Sequence, residues 1–310
     1  MGQRKYGREN QGYLVQTIHL KSGQSQSLSG TLWTPDTAPT GVLVLLHGLG
    51  DHSDRFAQMA SVLVKSGWAV LGMDLPGHGR SPGRRGDAKY RDLLGHVAAA
   101  RHQMAVRFPA AAQVILGHSM GGNLAMNYVI RCEQLDRRDT PPLEGIVLCS
   151  PMLLPPDPPP RPHVFAAWLT GHLLPWWKIR RRPEVELLTS DARHAVTIEQ
   201  DEVMHGEVTL RLATQLLAQG RFALDNANQV NVPTLICYGD DDQLIDKAAC
   251  RHAAMRIGSG VTVQCWPDQR HDLLHDTQAD QVIEELCLWL RGLVKSENSQ
   301  LQLSRVTVAA

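Results

Sequence analysis

The sequence lacks a long apolar run, an excess charge of either sign and any CxxC pair. No segment approaches the roughly 18 consecutive apolar residues of a membrane-spanning helix, and residues 1–10 are polar and contain no apolar signal core. Lys+Arg and Asp+Glu both number 31, so the formal net charge is zero and no overall field favours nucleic acid. These absences predict a cytoplasmic protein that is at most peripheral to a membrane.

The spacing of the cysteines matches no redox or metal-binding motif. None of the six stands in CxxC spacing, and we infer a reducing compartment. Cys149, Cys237 and Cys265 lie within apolar, strand-like runs, which predicts small buried thiols. Hydrophobic residues make up 43% of the chain and charged residues 20%, and this balance is typical of a globular protein.

Short apolar runs alternate with helix-compatible stretches. An antiparallel hairpin is predicted first, followed by further strands; the runs are 13–20, 28–33, 41–46, 68–73, 114–116, 145–149, 232–238 and 261–266. Amphipathic patterns predict the helices 53–66, 90–107, 120–132, 244–257 and 279–294. Strands that are apolar throughout and alternate with helices favour a mostly parallel sheet with helices on both faces.

The alternation stops after residue 150. Residues 155–162 hold six prolines and fit neither a helix interior nor a central strand. Apolar helical stretches follow at 163–174 and 207–219, before the alternation resumes. We therefore predict four units: core 1–150, an insertion 151–230 after the sixth strand, core 231–294 and a flexible polar tail 295–310.

The residues Gly117-His118-Ser119-Met120-Gly121 carry the clearest chemical signal. They lie between a predicted strand and a predicted helix, which places a serine at the tip of a sharp turn. Small neighbours are needed there, and the start of the helix favours developing negative charge. The pattern predicts a nucleophilic Ser119; the alternative is an ordinary glycine-rich turn.

A nucleophilic serine needs a base and a group that orients the base. On this scaffold the chain order is serine, acid, histidine, each in a loop after a late strand. The strand ending at Gly239 is followed by three aspartates, Asp240, Asp241 and Asp242, which composition does not separate. His271 follows the last strand and is the predicted base. The alternative is that His271 and His275, which are four residues apart, bind a metal ion together. It is disfavoured because no glutamate stands at the position it has in metalloproteases.

An acyl-transfer site also needs two donors for the oxyanion. The residue after the nucleophile supplies one, the N–H of Met120, and a glycine-flanked loop after the first central strand supplies the other. The loop His47-Gly48-Leu49-Gly50 makes the Leu49 N–H our candidate. The alternative is a plain turn that ends the strand, and His47 itself is expected to be structural.

Together these segments resemble the α/β-hydrolase superfamily and, within it, the monoacylglycerol lipase and lysophospholipase branch of serine aminopeptidase S33-type hydrolases. The resemblance runs from about residue 13 to 294. The matching segments are His47-Gly48-Leu49-Gly50-Asp51-His52-Ser53, Asp74-Leu75-Pro76-Gly77-His78-Gly79-Arg80-Ser81-Pro82-Gly83, Gly117-His118-Ser119-Met120-Gly121-Gly122, Ser150-Pro151, Gly239-Asp240-Asp241-Asp242 and His271 with Leu274-His275.

The resemblance implies roles for individual residues. The acid falls on Asp242 and the base on His271. Asp51, Arg55 and His118 fall where relatives position the polar end of the substrate; the alternative for Asp51 and Arg55 is a helix cap and a surface ion pair. The implied architecture is an α/β-hydrolase fold with an inserted cap after the sixth strand.

The cap is implied to carry an apolar acyl tunnel. Candidate lining residues are Leu153, Phe165, Trp168, Leu169 and Leu173, and the alternative is that they form the cap's own core. Tryptophans followed by basic residues favour the boundary of an anionic membrane, and we expect peripheral docking; the alternative is a solvated charge run. The residues of this segment are Trp176, Trp177, Arg180, Arg181 and Arg182.

The expected activity is hydrolysis of carboxylic esters of single-chain lipids, most of all monoacylglycerols, without a metal or organic cofactor. Lysophospholipase, general carboxylesterase and thioesterase activities keep the same triad and stay open. A non-catalytic binding protein on the same fold is the alternative of another class. A dehalogenase with an aspartate nucleophile is disfavoured because Ser119 occupies the turn.

Overall fold

A computed structural model describes residues 12–21, 27–136, 139–157, 160, 162, 169–171, 173–180 and 184–307. Its centre is an eight-stranded sheet in the order β1-β2-β4-β3-β5-β6-β9-β10. The strands of this sheet are β1 Tyr13–Lys21, β2 Ser27–Pro35, β3 Gly41–Leu46, β4 Trp68–Met73, β5 Ala112–His118, β6 Gly145–Cys149, β9 Thr234–Gly239 and β10 Val261–Trp266. A separate two-stranded sheet pairs β7 Lys178–Arg180 with β8 Glu207–Thr209.

The sheet is mostly parallel, as predicted. β1 pairs antiparallel with β2, and β2 pairs antiparallel with β4. All remaining neighbours, from β4 through β3, β5, β6 and β9 to β10, are parallel. Every residue of β3 and β4 is buried, because helices cover both faces of the central strands. The apolar runs of the sequence therefore mark these strands correctly.

The helices that pack on the sheet are divided between its two faces. The α-helices with bounds in the described part of the chain are α1 Ala57–Lys65, α2 Tyr90–Arg107, α3 Met120–Ile130, α4 Cys132–Leu135, α5 Val185–Leu188, α6 Ala192–Gln200, α7 Leu210–Asp225, α8 Lys247–Ile257 and α9 Ala279–Thr307. One apolar layer joins the sheet to α2, α3, α7 and α8. The other joins it to α1 and α9. Alternate β3 residues enter the two layers, Val44 and Leu46 on one face and Leu43 and Leu45 on the other.

The segment between β6 and β9 contributes no strand to the main sheet in the parts that are described. It contains β7, β8 and the helices α5 to α7. The helix predicted over 207–219 begins later, because 207–209 pairs with β7 and the Thr209 hydroxyl then accepts the N–H of Leu212, capping α7. Several backbone hydrogen bonds join the segment to the core, among them those from His205 N–H to Gly50, from Thr209 N–H to Gly86 and from Asp272 N–H to Leu188.

One helix boundary and one burial prediction differ from the structure. Helix α9 extends to Thr307, beyond the predicted end at residue 294, since no glycine or proline follows Gly292 to end it; the flexibility expected of residues 295–310 stays a prediction. Cys265 is exposed, unlike Cys149 and Cys237, because β10 is an edge strand. Of the helices in the described ranges, none has the length and apolar content required to cross a bilayer.

Candidate active site

Ser119 lies at a strained turn between β5 and α3. Its φ angle is 52°, in the left-handed region that non-glycine residues rarely adopt. The neighbouring glycines leave room for this turn: a Cβ at Gly117 would lie 2.1 Å from the Gly121 carbonyl oxygen, and one at Gly121 would lie 2.0 Å from that of Leu46. The sequence pattern around the serine is thus a requirement of packing between strand and helix.

Ser119, His271 and Asp242 form a continuous hydrogen-bonded chain. The Ser119 Oγ lies 2.9 Å from His271 Nε2, and His271 Nδ1 lies 2.8 Å from Asp242 Oδ2. The other oxygen of Asp242 accepts the N–H groups of Leu244 and Ile245, which fixes the carboxylate. With Nδ1–H donating to Asp242, Nε2 is left as an acceptor for the serine hydroxyl. The three residues therefore come together with the connectivity that proton transfer from serine needs.

The other two aspartates of the loop are engaged elsewhere. Asp240 accepts the N–H of Asp268 at 2.6 Å, and Asp241 lies 3.4 Å from Arg270. His275 bonds to Asp272 through Nδ1 and to the Arg55 carbonyl through Nε2, both at 2.8 Å. No group of side chains able to hold a metal ion is found among the residues described. Backbone geometry thus separates residues that composition left equivalent.

His271 and Asp242 stabilise each other's charged form, and this shifts both pKa values. Burial lowers the pKa of His271, but the charge of Asp242 and its hydrogen bond outweigh burial, so the pKa is raised above its usual value. Burial raises the pKa of Asp242, and the charge of His271 outweighs it, so the pKa is lowered. An imidazolium at position 271 is accordingly stabilised next to an ionised carboxylate.

The predicted oxyanion loop passes beside the serine. A Cβ at Gly48 would lie 3.3 Å from Ser119 Cβ and 3.2 Å from His118 Nδ1, so a side chain here would have to displace its neighbours by a few tenths of an ångström. His47 is fully buried and structural, because its Nε2 accepts the Leu75 N–H at 3.0 Å and its Nδ1 lies 2.7 Å from the Gly48 carbonyl. Met120 is the first residue of α3, and N–H groups of a first turn have no acceptor within their helix.

Asp51 and Arg55 form a buried pair next to Ser119. Arg55 Nη1 lies 3.1 Å from Asp51 Oδ1, and the two side chains are 6% and 5% exposed. The alternative of a helix cap and a surface ion pair is therefore wrong. Arg55 Nη2 also lies 2.5 Å from Asp272 Oδ2. Sequence reasoning missed Asp272; the signal was its position next to His271 together with the demand of a buried guanidinium for carboxylates.

The charges of Asp51, Asp272 and Arg55 shift one another's pKa values. Burial raises the pKa values of Asp51 and Asp272, but Arg55 outweighs it and both pKa values are lowered, that of Asp272 strongly. Burial lowers the pKa of Arg55, and the two carboxylates more than reverse this, so the guanidinium stays protonated. At neutral pH the cluster carries two negative charges and one positive charge.

His118 lies beside this cluster as a neutral imidazole. Burial lowers its pKa to about 4. Its Nε2 is 3.3 Å from the His271 carbonyl oxygen and 3.9 Å from Asp272, so Nε2 carries the proton. Its Nδ1 is buried, and no hydrogen-bond partner for it is found among the described residues. His118 thus offers an unused acceptor nitrogen at the site.

A pocket of about 620 Å³ opens over Ser119. Its polar wall comes from the charged cluster and from Asp157, Glu184 and Gln243. Its apolar wall comes from Leu49, Met152, Leu187, Leu188, Met204 and Leu244. A smaller apolar pocket of about 280 Å³ shares Leu49, Leu188 and Met204 with it. The site thus combines polar and apolar lining residues around the serine hydroxyl.

The structure corrects the candidate acyl-pocket residues. Leu153 is completely buried in the core and absent from the pocket walls. Leu169 and Leu173 are 46% and 66% exposed and line neither pocket. Phe165 and Trp168 lie outside the described residues. In the inserted segment, the apolar lining residues Leu187, Leu188 and Met204 come instead from α5 and the loop before β8, which are too short to produce a periodic hydrophobic signal.

The tryptophans of the predicted docking segment are exposed. Trp176 is 57% exposed and Trp177 is 60% exposed, and the Arg180 side chain is 77% exposed. Arg181 and Arg182 lie outside the described residues.

Comparison with known proteins shows the family of this chain. The family model described as serine aminopeptidase, S33 matches residues 37–278. The monoacylglycerol lipase of Mycolicibacterium smegmatis is 28% identical over 264 residues, which cover 84% of this chain and 91% of that protein. An uncharacterized abhydrolase domain-containing protein of Dictyostelium discoideum is 25% identical over 93% of this chain, but the chain spans only 30% of that protein.

A solved structure shows the same fold. A soluble variant of monoglyceride lipase from Saccharomyces cerevisiae, in complex with a substrate analog, superimposes with a TM-score of 0.77 at 18% identity. The match covers 89% of this chain and 94% of that one. Since the family model spans most of the sequence, the chain belongs to the serine aminopeptidase S33 family of α/β hydrolases, in the branch that resembles monoacylglycerol lipases.

Proposed function

We propose that this protein hydrolyses carboxylic ester bonds of single-chain lipids, with monoacylglycerols as the preferred substrates. The observation that carries the proposal is the chain from Ser119 through His271 to Asp242, next to a pocket that both polar and apolar side chains line. A monoacylglycerol likewise combines a polar glycerol end with an apolar acyl chain, joined by the ester.

The reaction begins at Ser119. His271 Nε2 removes the hydroxyl proton while Oγ attacks the ester carbonyl carbon, and Asp242 stabilises the imidazolium that forms. The N–H groups of Leu49 and Met120 stabilise the negative charge on the carbonyl oxygen. His271 then protonates the departing glycerol oxygen, which leaves an acyl-enzyme on Ser119.

Deacylation repeats these steps with water. His271 removes a proton from the water as its oxygen attacks the acyl carbonyl, and the same N–H groups stabilise the second oxyanion. His271 finally returns the proton to Ser119 Oγ, which releases the fatty acid. Protons and bonds balance with no metal or organic cofactor in any step.

The charge of the pocket supports a neutral polar end on the substrate. Among the residues that the structure describes, four carboxylates line it besides the triad, those of Asp51, Asp157, Glu184 and Asp272, against one guanidinium, that of Arg55. An excess of negative charge repels a phosphate group and tolerates hydroxyls, which also supply donors for buried acceptors such as His118 Nδ1. This balance favours monoacylglycerol over a lysophospholipid whose headgroup has a net negative charge.

The experiment compares initial rates on monoolein, lysophosphatidylcholine and a butyrate ester. We expect monoolein to give the highest kcat/KM, and a preference for lysophosphatidylcholine would contradict the substrate assignment. Ser119→Ala should abolish turnover of all three and leave the circular dichroism spectrum unchanged. Labelling by a fluorophosphonate probe tests the nucleophile separately, and an unlabelled native protein would favour a non-catalytic binding protein.

A further inference from the structure

We propose that Asp276 is a positioning residue for the base, because its carboxylate fixes the loop that carries His271 to the inserted segment between β6 and β9. The inference rests on the proposed function, in which His271 is the base. Asp276 lies between that loop and α9, and it is only 2% exposed. Among the described residues it forms no hydrogen bond to Ser119, His271 or Asp242, so it acts through the backbone.

The two oxygens of Asp276 bind different parts of the chain. Oδ1 accepts the N–H of Ser190 at 2.6 Å and the N–H of Thr277 at 2.9 Å, and it lies 3.2 Å from the Thr189 hydroxyl. Oδ2 accepts the N–H of Arg270, the residue before the base, at 2.6 Å. One buried carboxylate therefore joins the inserted segment to the backbone next to the base. The donors found for it in the described part of the chain are all neutral, so directed hydrogen bonds hold it in place.

The inserted segment also holds the backbone on the other side of the base. The N–H of Asp272 donates to the Leu188 carbonyl at 2.8 Å. The side chain of Leu188 lines both the pocket over the serine and the adjoining apolar pocket. The wall of the pocket and the loop of the base are thus connected through hydrogen bonds.

These contacts determine where the imidazole of His271 lies. Its Nε2 must stay near Ser119 Oγ, 2.9 Å away, while its Nδ1 stays bonded to Asp242. Since a side chain moves with its backbone, loss of the contact between Asp276 and the preceding residue shifts both distances. A displacement of about 1 Å costs up to about 100-fold in rate. The serine and the pocket are unaffected by such a shift.

Asp276→Asn should remove the contact next to the base selectively. An amide has one acceptor oxygen and one donor nitrogen, and the oxygen is best placed where Ser190 and Thr277 both need an acceptor. The NH₂ group then faces the N–H of Arg270, so this hydrogen bond is lost. Asp276→Glu keeps two acceptor oxygens and should recover part of the lost rate.

The measurement is steady-state hydrolysis of p-nitrophenyl butyrate. We expect kcat of Asp276→Asn to fall by about 10- to 100-fold while KM stays within about twofold of the native value. His271 serves acylation and deacylation alike, so both steps slow together. The rate of labelling by a fluorophosphonate probe should fall in parallel, since labelling needs the serine and its base but no ester substrate.

Asp87→Asn is the matched control. Asp87 also joins a core loop to the inserted segment, since it accepts hydrogen bonds from the Thr209 hydroxyl at 3.0 Å and from the Arg211 guanidinium at 2.8 Å. In the described ranges it forms no hydrogen bond to the loop of His271. Its substitution weakens the attachment of the segment elsewhere, and kcat and the labelling rate should stay unchanged.

Thr189→Val tests the same contacts without altering Asp276. It removes the hydroxyl that donates to the His275 carbonyl at 2.9 Å and lies 3.2 Å from Asp276. We expect kcat to fall by roughly fivefold, the equivalent of one neutral hydrogen bond. This variant decides the matter if Asp276→Asn does not fold, which thermal unfolding and circular dichroism show.

Three results would overturn the inference. They are native kcat and labelling rate in a folded Asp276→Asn, an equal loss in Asp87→Asn, and a loss that appears in KM with kcat preserved. The labelling rates separate this inference from the proposed function. A native protein that the probe labels but that hydrolyses no ester contradicts the function, and slower labelling of Asp276→Asn would still support the positioning role.

Discussion

The backbone N–H of His205 donates a hydrogen bond of 2.9 Å to the carbonyl oxygen of Gly50. Gly50 follows Leu49 in the oxyanion loop, and His205 belongs to the segment between β6 and β9. The contact leaves no space for a side chain, since a Cβ at Gly50 would lie 1.9 Å from the His205 carbonyl oxygen. The inserted segment therefore rests directly on the loop that we propose binds the oxyanion.

A second contact joins the same two parts of the chain. His52 Nε2 lies 2.8 Å from Asp201 Oδ2. The other oxygen of Asp201 accepts the N–H groups of Val203 and Met204, which orders the turn before His205. The inserted segment thus contacts the loop 47–52 at two residues, Gly50 and His52, and the geometry of the loop depends on the position of this segment.

Gly50→Ala should lower kcat on a soluble p-nitrophenyl ester by about 10- to 100-fold. The new methyl group must displace either His205 or the oxyanion loop. A small displacement of an oxyanion donor is enough to lower kcat by about this factor. The measurement is steady-state kcat compared with the unmodified protein, with active sites counted by fluorophosphonate labelling.

Gly258→Ala is the matched control for this substitution. Gly258 has a φ of +78°, close to the +77° of Gly50, but a Cβ there meets no atom within 4 Å. Both variants are therefore strained in the backbone, and only Gly50→Ala is expected to lose activity. Equal losses of kcat in the two variants would contradict the coupling between loop and segment.

The pH dependence of kcat/KM should reveal the raised pKa of His271. The base must be neutral to accept the serine proton, so activity falls as pH drops through this pKa, and the midpoint should lie above pH 6.5. Asp242→Asn removes the charge that raises the pKa and leaves burial in place, so the midpoint should move to lower pH. The plateau should fall by on the order of 10⁴-fold.

Asp241→Asn is the control for this shift. Asp241 lies in the same loop and contacts Arg270, without a bond to His271. Its substitution should preserve both the plateau and the midpoint. His118 does not interfere, because its pKa of about 4 keeps it neutral throughout this range. An unchanged midpoint in Asp242→Asn would show that another group controls the profile.

The contacts among Ser119, His271 and Asp242 were predictable because the proposed chemistry constrains the order of these residues tightly. A nucleophilic serine, an acid and a histidine each had to follow a strand in a known order, and the strands were marked by apolar runs. The choice among Asp240, Asp241 and Asp242 was different. It depends on which carboxylate the turn aims at His271, and that turn is fixed by the N–H groups of Leu244 and Ile245, which composition does not encode.

The pocket wall was not predictable for a related reason. Leucines of a core and leucines of a pocket have the same hydrophobicity, so Leu153 resembled a lining residue although it is completely buried. The actual wall includes Leu188, at the end of the four-residue helix α5, and Met204, in a loop. Such short elements have no measurable period, and β7 and β8 escaped prediction in the same way.

Met204→Trp should shift the preference of the enzyme toward short acyl chains. Met204 lines both the pocket over Ser119 and the adjoining apolar pocket, so an indole there fills space in both. We expect kcat/KM for an octanoate ester to fall by about tenfold relative to a butyrate ester, equivalent to roughly 1.4 kcal/mol of lost acyl binding.

Val203→Trp provides the comparison for this substitution. Val203 is the preceding residue, is 37% exposed and lines neither pocket. It should leave the ratio between the two esters unchanged. If Met204→Trp lowered both rates equally, the acyl chain would have to lie elsewhere.

Arg55→Met should destabilise the fold by about 3–5 kcal/mol at neutral pH, because it leaves the buried carboxylates of Asp51 and Asp272 without their cation. Urea unfolding measures the loss. The double variant Arg55→Met/Asp272→Asn should recover part of it, since one uncompensated charge is removed with the cation. Arg193→Gln breaks an exposed pair with Asp191 and should change stability little.

The pH dependence of this loss distinguishes charge from packing. In the native protein the pKa values of Asp51 and Asp272 are lowered, so their contribution to stability is present above their ordinary pKa and is lost as pH falls through the lowered values. In Arg55→Met, burial is no longer opposed by the guanidinium and raises both pKa values. As pH falls, Asp51 and Asp272 therefore become protonated in the variant before they do in the native protein, and protonation removes the cost of burying their charges. The difference in unfolding free energy between the two proteins should therefore shrink toward acid pH, whereas a difference that stayed constant would mean that Arg55 acts through the packing of its side chain.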